Sequence, residues 1–91
     1  MAGRFADNSA RGRFELTEDG HVAFANYRIA DGRLLIPHVE AAMVLRGTGA
    51  ASRLMEHVAG EARARQLKIL PICSYAVAWF RRHREHQDLL D

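Results

Sequence analysis

Hydrophobic and polar residues alternate with a period of two over the first half of the chain and recur at helical spacing over much of the second. From Arg13 onward, Phe14 and Leu16 alternate with charged or polar neighbours, and Glu18-Asp19-Gly20 then supplies turn chemistry, so a first strand is predicted there. Residues 21–29 place Ala23, Ala25, Tyr27 and Ile29 on one face and Val22, Phe24, Asn26 and Arg28 on the other, which predicts a second strand. Asp31-Gly32 signals a hairpin, after which residues 34–41 resume β-type sequence, so three consecutive strands form an antiparallel meander. Pro37 lies inside the third strand. Its missing N–H removes a ladder bond and marks an edge or a bulge, so the sheet is expected to open there.

A glycine-bearing loop follows at residues 46–51, and an amphipathic helix is predicted from there to about Gln66. Ala51, Leu54, Met55, Val58 and Ala62 fall on one side of it, with Arg53, Glu56, His57 and Glu61 on the other. Gly60 inside that helix costs about 1 kcal/mol relative to alanine. Residues 67–73 predict a fourth strand, and Ser74 is read as the N-cap of a second helix running to about Arg84. Strand, loop, helix and strand between residues 34 and 73 make a βαβ unit, which normally joins parallel strands by a right-handed crossover. The expected fold is therefore α+β, a mixed sheet made of a three-strand meander, a βαβ unit and a C-terminal helix. It occupies one domain over residues 12–91, and the small, polar, unpatterned residues 1–11 are read as a flexible N-terminal arm.

Composition narrows the function classes. The chain has 91 residues, 48% of them hydrophobic, with a formal net charge of +2, values that fit one globular domain and give little electrostatic ground for nucleic-acid binding. Arg81, Arg82 and Arg84 are clustered, but cations in the last turn of a helix complement its dipole, and no aromatic residues are interleaved with a basic groove. A lone cysteine, Cys73, excludes an intramolecular disulfide and a repeated Cys/His zinc pattern, so no metal is expected, and a reducing, cytoplasmic setting fits. No apolar run approaches membrane-spanning length, and the first ten residues lack the apolar stretch of a signal peptide. For so small a domain, either a monomer or a homodimer is compatible.

The candidate chemistry concentrates in three places. In the loop Arg46, Gly47, Thr48, Gly49, Ala50 and Ala51, two glycines precede a helix N-terminus, where free N–H groups and the helix dipole favour an anion such as a pyrophosphate. Arg46 adds a charge. The competing reading is a tight strand-to-helix connection with no ligand. The loop is not a Walker sequence, and the dinucleotide G-x-G-x-x-G is incomplete. Cys73 precedes a helix whose N-terminus favours a thiolate, a nucleophile, although an isolated cysteine also serves as a small buried hydrophobe. His38 and Glu40 alternate onto one strand face, where either fits a general base or a structural hydrogen-bonding role. Tyr75, Trp79 and Phe80 are read as packing residues.

Arg46 to Ala51 matches the R/Q-x-x-G-x-G/A signature of the GNAT acetyltransferase superfamily, and the match extends beyond the loop. His38-Val39-Glu40, Leu45-Arg46-Gly47, Gly49, Pro71-Ile72-Cys73-Ser74-Tyr75, Trp79, Arg82-His83 and Asp88-Leu89-Leu90 together resemble the small YjdJ-type GNAT-like subfamily over roughly residues 13–90. Ala42, Arg84 and His86 depart from it, standing where proline, proline and an aromatic residue are common. The resemblance implies acetyl-CoA (coenzyme A) as the bound partner, with its pyrophosphate on the loop and its pantetheine arm against the backbone of Val39, Glu40 and Ala41. Ser74 joins this set of cofactor contacts. It also implies a minimal N-acetyltransferase acting on an unidentified amine, which includes a protein side chain, either directly or through an acetyl-Cys73 intermediate. The alternative is a non-catalytic CoA-binding module that works through a protein partner.

Overall fold

Two Asp-Gly turns set the frame of the sheet. A computed structural model describes residues 3–91, and in it Asp19 (φ 51°), Gly20 (φ 78°), Asp31 (φ 54°) and Gly32 (φ 73°) are all left-handed. Consecutive positive φ values make the two-residue turn whose twist matches that of paired strands. They join β2 (Arg13–Glu18) to β3 (His21–Ala30) and β3 to β4 (Arg33–Ala41), as the sequence predicts.

The expected N-terminal arm is corrected by the structure. Arg4–Asn8 is a strand, β1, paired antiparallel with β2, so the folded unit begins well before residue 12. Residues 1 and 2 of that arm lie outside the described residues. Phe5 stacks on Phe14 (centroids 5.6 Å apart) and on His57 (4.8 Å), while Asp7 accepts hydrogen bonds from the Tyr27 hydroxyl (2.6 Å) and Arg65 (2.7 Å). One aromatic residue carries the strand's inward face, too little for an alternation to be visible. The return to β2 is a short 3-10 turn, Ser9–Arg11, ended by Gly12 at φ 64°.

The five strands run in the order β1-β2-β3-β4-β5, with β5 (Lys68–Pro71) parallel to β4 and the other pairs antiparallel. Helix α1 (Ala50–Ala64) makes the crossover between them, and α2 (Ser74–Arg82) follows β5. Leu54, Met55, Val58, Ala59 and Ala62 of α1 meet Phe14, Leu16, Ala23, Ala25, Leu34 and Ile36 of the sheet in one buried core. Trp79 and Phe80 close it from α2, so two of the three residues read as packing are core. The Trp79 indole N–H finds the Ser52 hydroxyl at 2.9 Å, which removes the cost of burying it and ties the two helices together. The helices cover one face of the sheet. Among the described residues, no helix is long and apolar enough to cross a membrane.

Helix α2 starts one residue away from its predicted cap. Cys73, not Ser74, is the N-cap, and its Sγ accepts the Ala76 N–H at 3.4 Å. At the other end Arg81 and Arg82 close the helix and Arg84 opens a 3-10 segment, Arg84–Leu89, so the basic run is split. Arg63 and Lys68 hold that segment through the Asp88 carboxylate (2.7 Å) and carbonyl (2.8 Å).

Candidate functional site

The site begins where β4 stops being an interior strand. Asn26 pairs with His38 but Arg28 pairs with Leu35, so Tyr27 faces both Ile36 and Pro37, a bulge on β4 at the proline. On the opposite side, pairing with β5 ends at Ile36↔Pro71. The Ile36 carbonyl there accepts both the Ile72 N–H (3.0 Å) and the Cys73 N–H (3.3 Å), and the chain turns away into α2. From residue 37 onward, β4 therefore has a neighbour on one side only.

Strand alternation shows which groups face the gap. Ala42 donates its N–H to the Val22 carbonyl at 3.0 Å, so the backbone groups of Glu40 and His38, two and four residues back, also face β3. Those of Val39 and Ala41 face the open side. Of the three backbone positions expected to face a pantetheine arm, Val39 and Ala41 face the open side and Glu40 faces β3.

That edge leads to the glycine loop through a 3-10 turn, Met43–Leu45. Gly47 (φ 81°) and Gly49 (φ 87°) adopt the left-handed conformation that a side chain disfavours, and Gly49 is the N-cap of α1. Thr48 braces the turn: its hydroxyl donates to the Leu45 carbonyl (2.5 Å) and accepts the Ala50 N–H (3.3 Å). Among the described residues, the N–H groups of Gly47, Gly49, Ala51 and Ser52 have no acceptor. They stand at the positive end of a 15-residue helix. Arg46 is exposed beside them.

A cleft of about 260 Å³ runs between loop and edge, lined by Ala41, Leu45, Arg46, Gly47, Gly49, Ala50, Ala51, Ser52 and Tyr75. Tyr75 thus does more than pack. Burial pushes its hydroxyl above the ordinary tyrosine range, Arg82 opposes and Cys73 adds to the rise, so the group keeps its proton at neutral pH. In the sequence it stands among aromatic residues at helical spacing, a pattern that does not tell a core residue from one at the mouth of a cleft. Arg53 and Glu18, which brace the loop from outside, carry no joint signal in the sequence because they are 35 residues apart.

The remaining candidates divide into two groups. His38 Nε2 lies 3.0 Å from Glu40 Oε1, confirming a shared face, and Phe24 is tilted toward the imidazole at 6.1 Å. Both side chains are about half exposed, on the face of the sheet away from the helices. Cys73 is apart from them, half-buried against the core, its side-chain hydrogen bond made to Ala76. Ser74 is exposed at the first turn of α2. Elsewhere, Glu56, Glu85 and His86 converge closely enough to hold an ion. Arg63 approaches the second ring nitrogen of that histidine at 3.4 Å, and a cation there opposes a bound metal.

The fold and the loop can be set beside known proteins. The sequence profile of the GCN5-related N-acetyl-transferase family matches residues 13–89. Among solved structures, the chain is similar to the solution structure of a GCN5-like candidate N-acetyltransferase from Staphylococcus aureus, with a TM-score of 0.76 and 25% identity. That likeness covers 97% of this chain and 87% of the other. No curated protein matches. The half-open β4, the loop of free N–H groups and a profile match over most of the chain agree: the protein belongs to the GCN5-related N-acetyltransferase family.

Proposed function

We propose that the protein binds acetyl-CoA in the cleft between the β4 edge and the glycine loop and transfers the acetyl group to an amine. One observation carries this reading. The free N–H and C=O groups of Val39 and Ala41 are followed, after one 3-10 turn, by the free N–H groups of Gly47, Gly49, Ala51 and Ser52. An amide-bearing arm ending in a diphosphate matches that order: strand-like pairing at one end, a helix-start anion site at the other. Arg46 adds a cation beside the diphosphate.

Residues on the open face of the sheet and in the cleft divide the proton work. The Glu40 carboxylate, oriented by His38, takes a proton from the acceptor's ammonium group before attack, or from the amine as it attacks. Tyr75 keeps its proton at neutral pH and lines the cleft, so it supplies one to the sulfur that leaves when the C–S bond breaks. The amine nitrogen gains the acetyl carbon, the coenzyme leaves as a thiol, and no external oxidant or reductant enters. The open sheet face beside His38 and Glu40 leaves room for an amine on a protein side chain.

A second route runs through Cys73, favoured by its place at the start of α2, where its sulfur accepts the Ala76 N–H. In that route the thiol takes the acetyl group first and passes it to the amine. Native mass spectrometry of wild type and Cys73→Ala with acetyl-CoA separates the readings. Coenzyme complexes in both proteins, without covalent acetyl, support direct transfer; an acetyl adduct on wild type alone supports the cysteine route. No complex in either protein overturns the coenzyme site. A complex with no turnover of any amine leaves a CoA-binding module acting through a partner protein.

A further inference from the structure

The first turn of α1 carries a cation where the helix dipole disfavours one. Arg53 is the fourth residue of the helix, at its positive end, and the turn holds no acidic residue to offset it. Its guanidinium is instead committed to two other elements. Nε and Nη2 each donate to the Glu18 carboxylate at 2.7 Å, a bidentate pair, while Nη1 donates to the Thr48 carbonyl at 3.0 Å. Glu18 is the last residue of β2, so one side chain ties the sheet to the loop. The hydrogen bonds from Arg53 hold the Glu18 carboxyl below the usual carboxylate range against some opposition from burial, and the two charges cancel near neutral pH.

The contact with Thr48 has a directional consequence. In a trans peptide the C=O and the following N–H point opposite ways, and the described residues contain no cis bond. Holding the Thr48 carbonyl on the Arg53 side therefore turns the Gly49 N–H away from it. Gly49 lines the cleft, and its N–H has no acceptor among the described residues. Little slack remains at this point, since a Cβ on Gly49 would lie 3.0 Å from Arg53 Nη1.

We propose that Arg53, held by Glu18, is a positioning residue of the coenzyme site: it sets the Thr48–Gly49 peptide so that the Gly49 N–H faces the bound diphosphate, while Glu18 cancels its charge. This rests on the phosphate-loop reading above. A clamp of this kind fixes the donor before the ligand arrives, so reorganisation does not weaken binding.

The test is calorimetric titration with CoA, alongside thermal unfolding, on wild type, Glu18→Ala/Arg53→Ala and Glu18→Lys/Arg53→Glu. The double alanine variant keeps the net charge and removes the clamp, and it binds CoA about tenfold more weakly. The reversed pair restores the ion pair and most of any lost Tm, but a carboxylate has no donor for the Thr48 carbonyl, so its affinity stays low. Recovery of affinity together with Tm overturns the proposal, as does a double alanine variant that binds within about twofold of wild type. Should that variant fail to fold, Arg53→Lys decides. Lysine keeps the charge but cannot fork to both partners, so it binds about threefold more weakly at wild-type Tm, and equal affinity overturns the proposal. If wild type itself fails to bind CoA, the functional reading falls and this proposal falls with it.

Discussion

The two halves of β4 are built for different work. Arg33 to Ile36 has neighbours on both sides, β3 and β5, with Leu34 and Ile36 buried in the core. Beyond Pro37 the strand keeps β3 and loses β5, and the backbone of Val39 and Ala41 faces an open side instead, with Ala41 lining the cleft. One strand thus serves the core with its first half and leaves backbone hydrogen-bonding groups open with its second. The divider is one residue that cannot donate to a ladder. Opening the edge costs backbone pairing, and the closed half, Trp79 and the Asp-Gly hairpins supply the packing that makes this tolerable.

Substitutions in the two halves should differ most in what they damage. Ile36→Ala removes a fully buried side chain from the closed half and costs about 3 kcal/mol of unfolding free energy, read from denaturant midpoints. Val39→Ala, half-buried in the open half, costs about 1 kcal/mol or less. Equal losses would mean that the open half is part of the core.

A smaller effect separates the two helix glycines. Gly49→Ala places a side chain at φ 87° and against Arg53, costing about 1–2 kcal/mol and weakening CoA binding as well. Gly60→Ala, at an exposed position with open space around the added carbon, gains about 0.5–1 kcal/mol and leaves CoA affinity unchanged. A Gly60→Ala protein with weakened CoA binding would place coenzyme contacts on the wrong part of α1.

The smallest effect is set by pH. Glu15, Glu18 and Asp88 are each held below the ordinary carboxylate range, first of all by hydrogen bonds from Arg13, Arg53 and Arg63 respectively. Depressed carboxyls contribute stability that is fully present above their unfolded pKa values, about 4, and is lost as pH falls through the lower folded ones. Tm is therefore flat from neutral pH down to about 5 and declines slightly below about 4, with Glu18→Gln flattening part of that decline. A Tm that rises on acidification contradicts these pairings.

Local signals in the chain account for much of this arrangement. Asp19-Gly20 and Asp31-Gly32 specify their turns by backbone conformation alone, Pro37 marks the bulge by its missing N–H, and Gly47 and Gly49 mark the loop. Strand β1 is not legible because Phe5 is the sole large apolar residue in a five-residue stretch, and what holds it, Phe14, His57 and Arg65, is distant in sequence. The cap of α2 moves from Ser74 to Cys73 because either side chain can accept an N–H, and the turn at Ile72 and Cys73, held by the Ile36 carbonyl, decides which one does. Tyr75 and the Glu18–Arg53 clamp depend on tertiary placement, which periodicity does not carry.

The comparison between the halves of β4 is tested most directly by following backbone amide resonances of the ¹⁵N-labelled protein during titration with CoA. The expected result is large shifts at Val39, Ala41, Gly47, Gly49, Ala51 and Ser52, with residues 33–36 nearly unmoved. Shifts confined to other surfaces, or spread equally over both halves of β4, would contradict the assignment of the open edge and glycine loop as the coenzyme site.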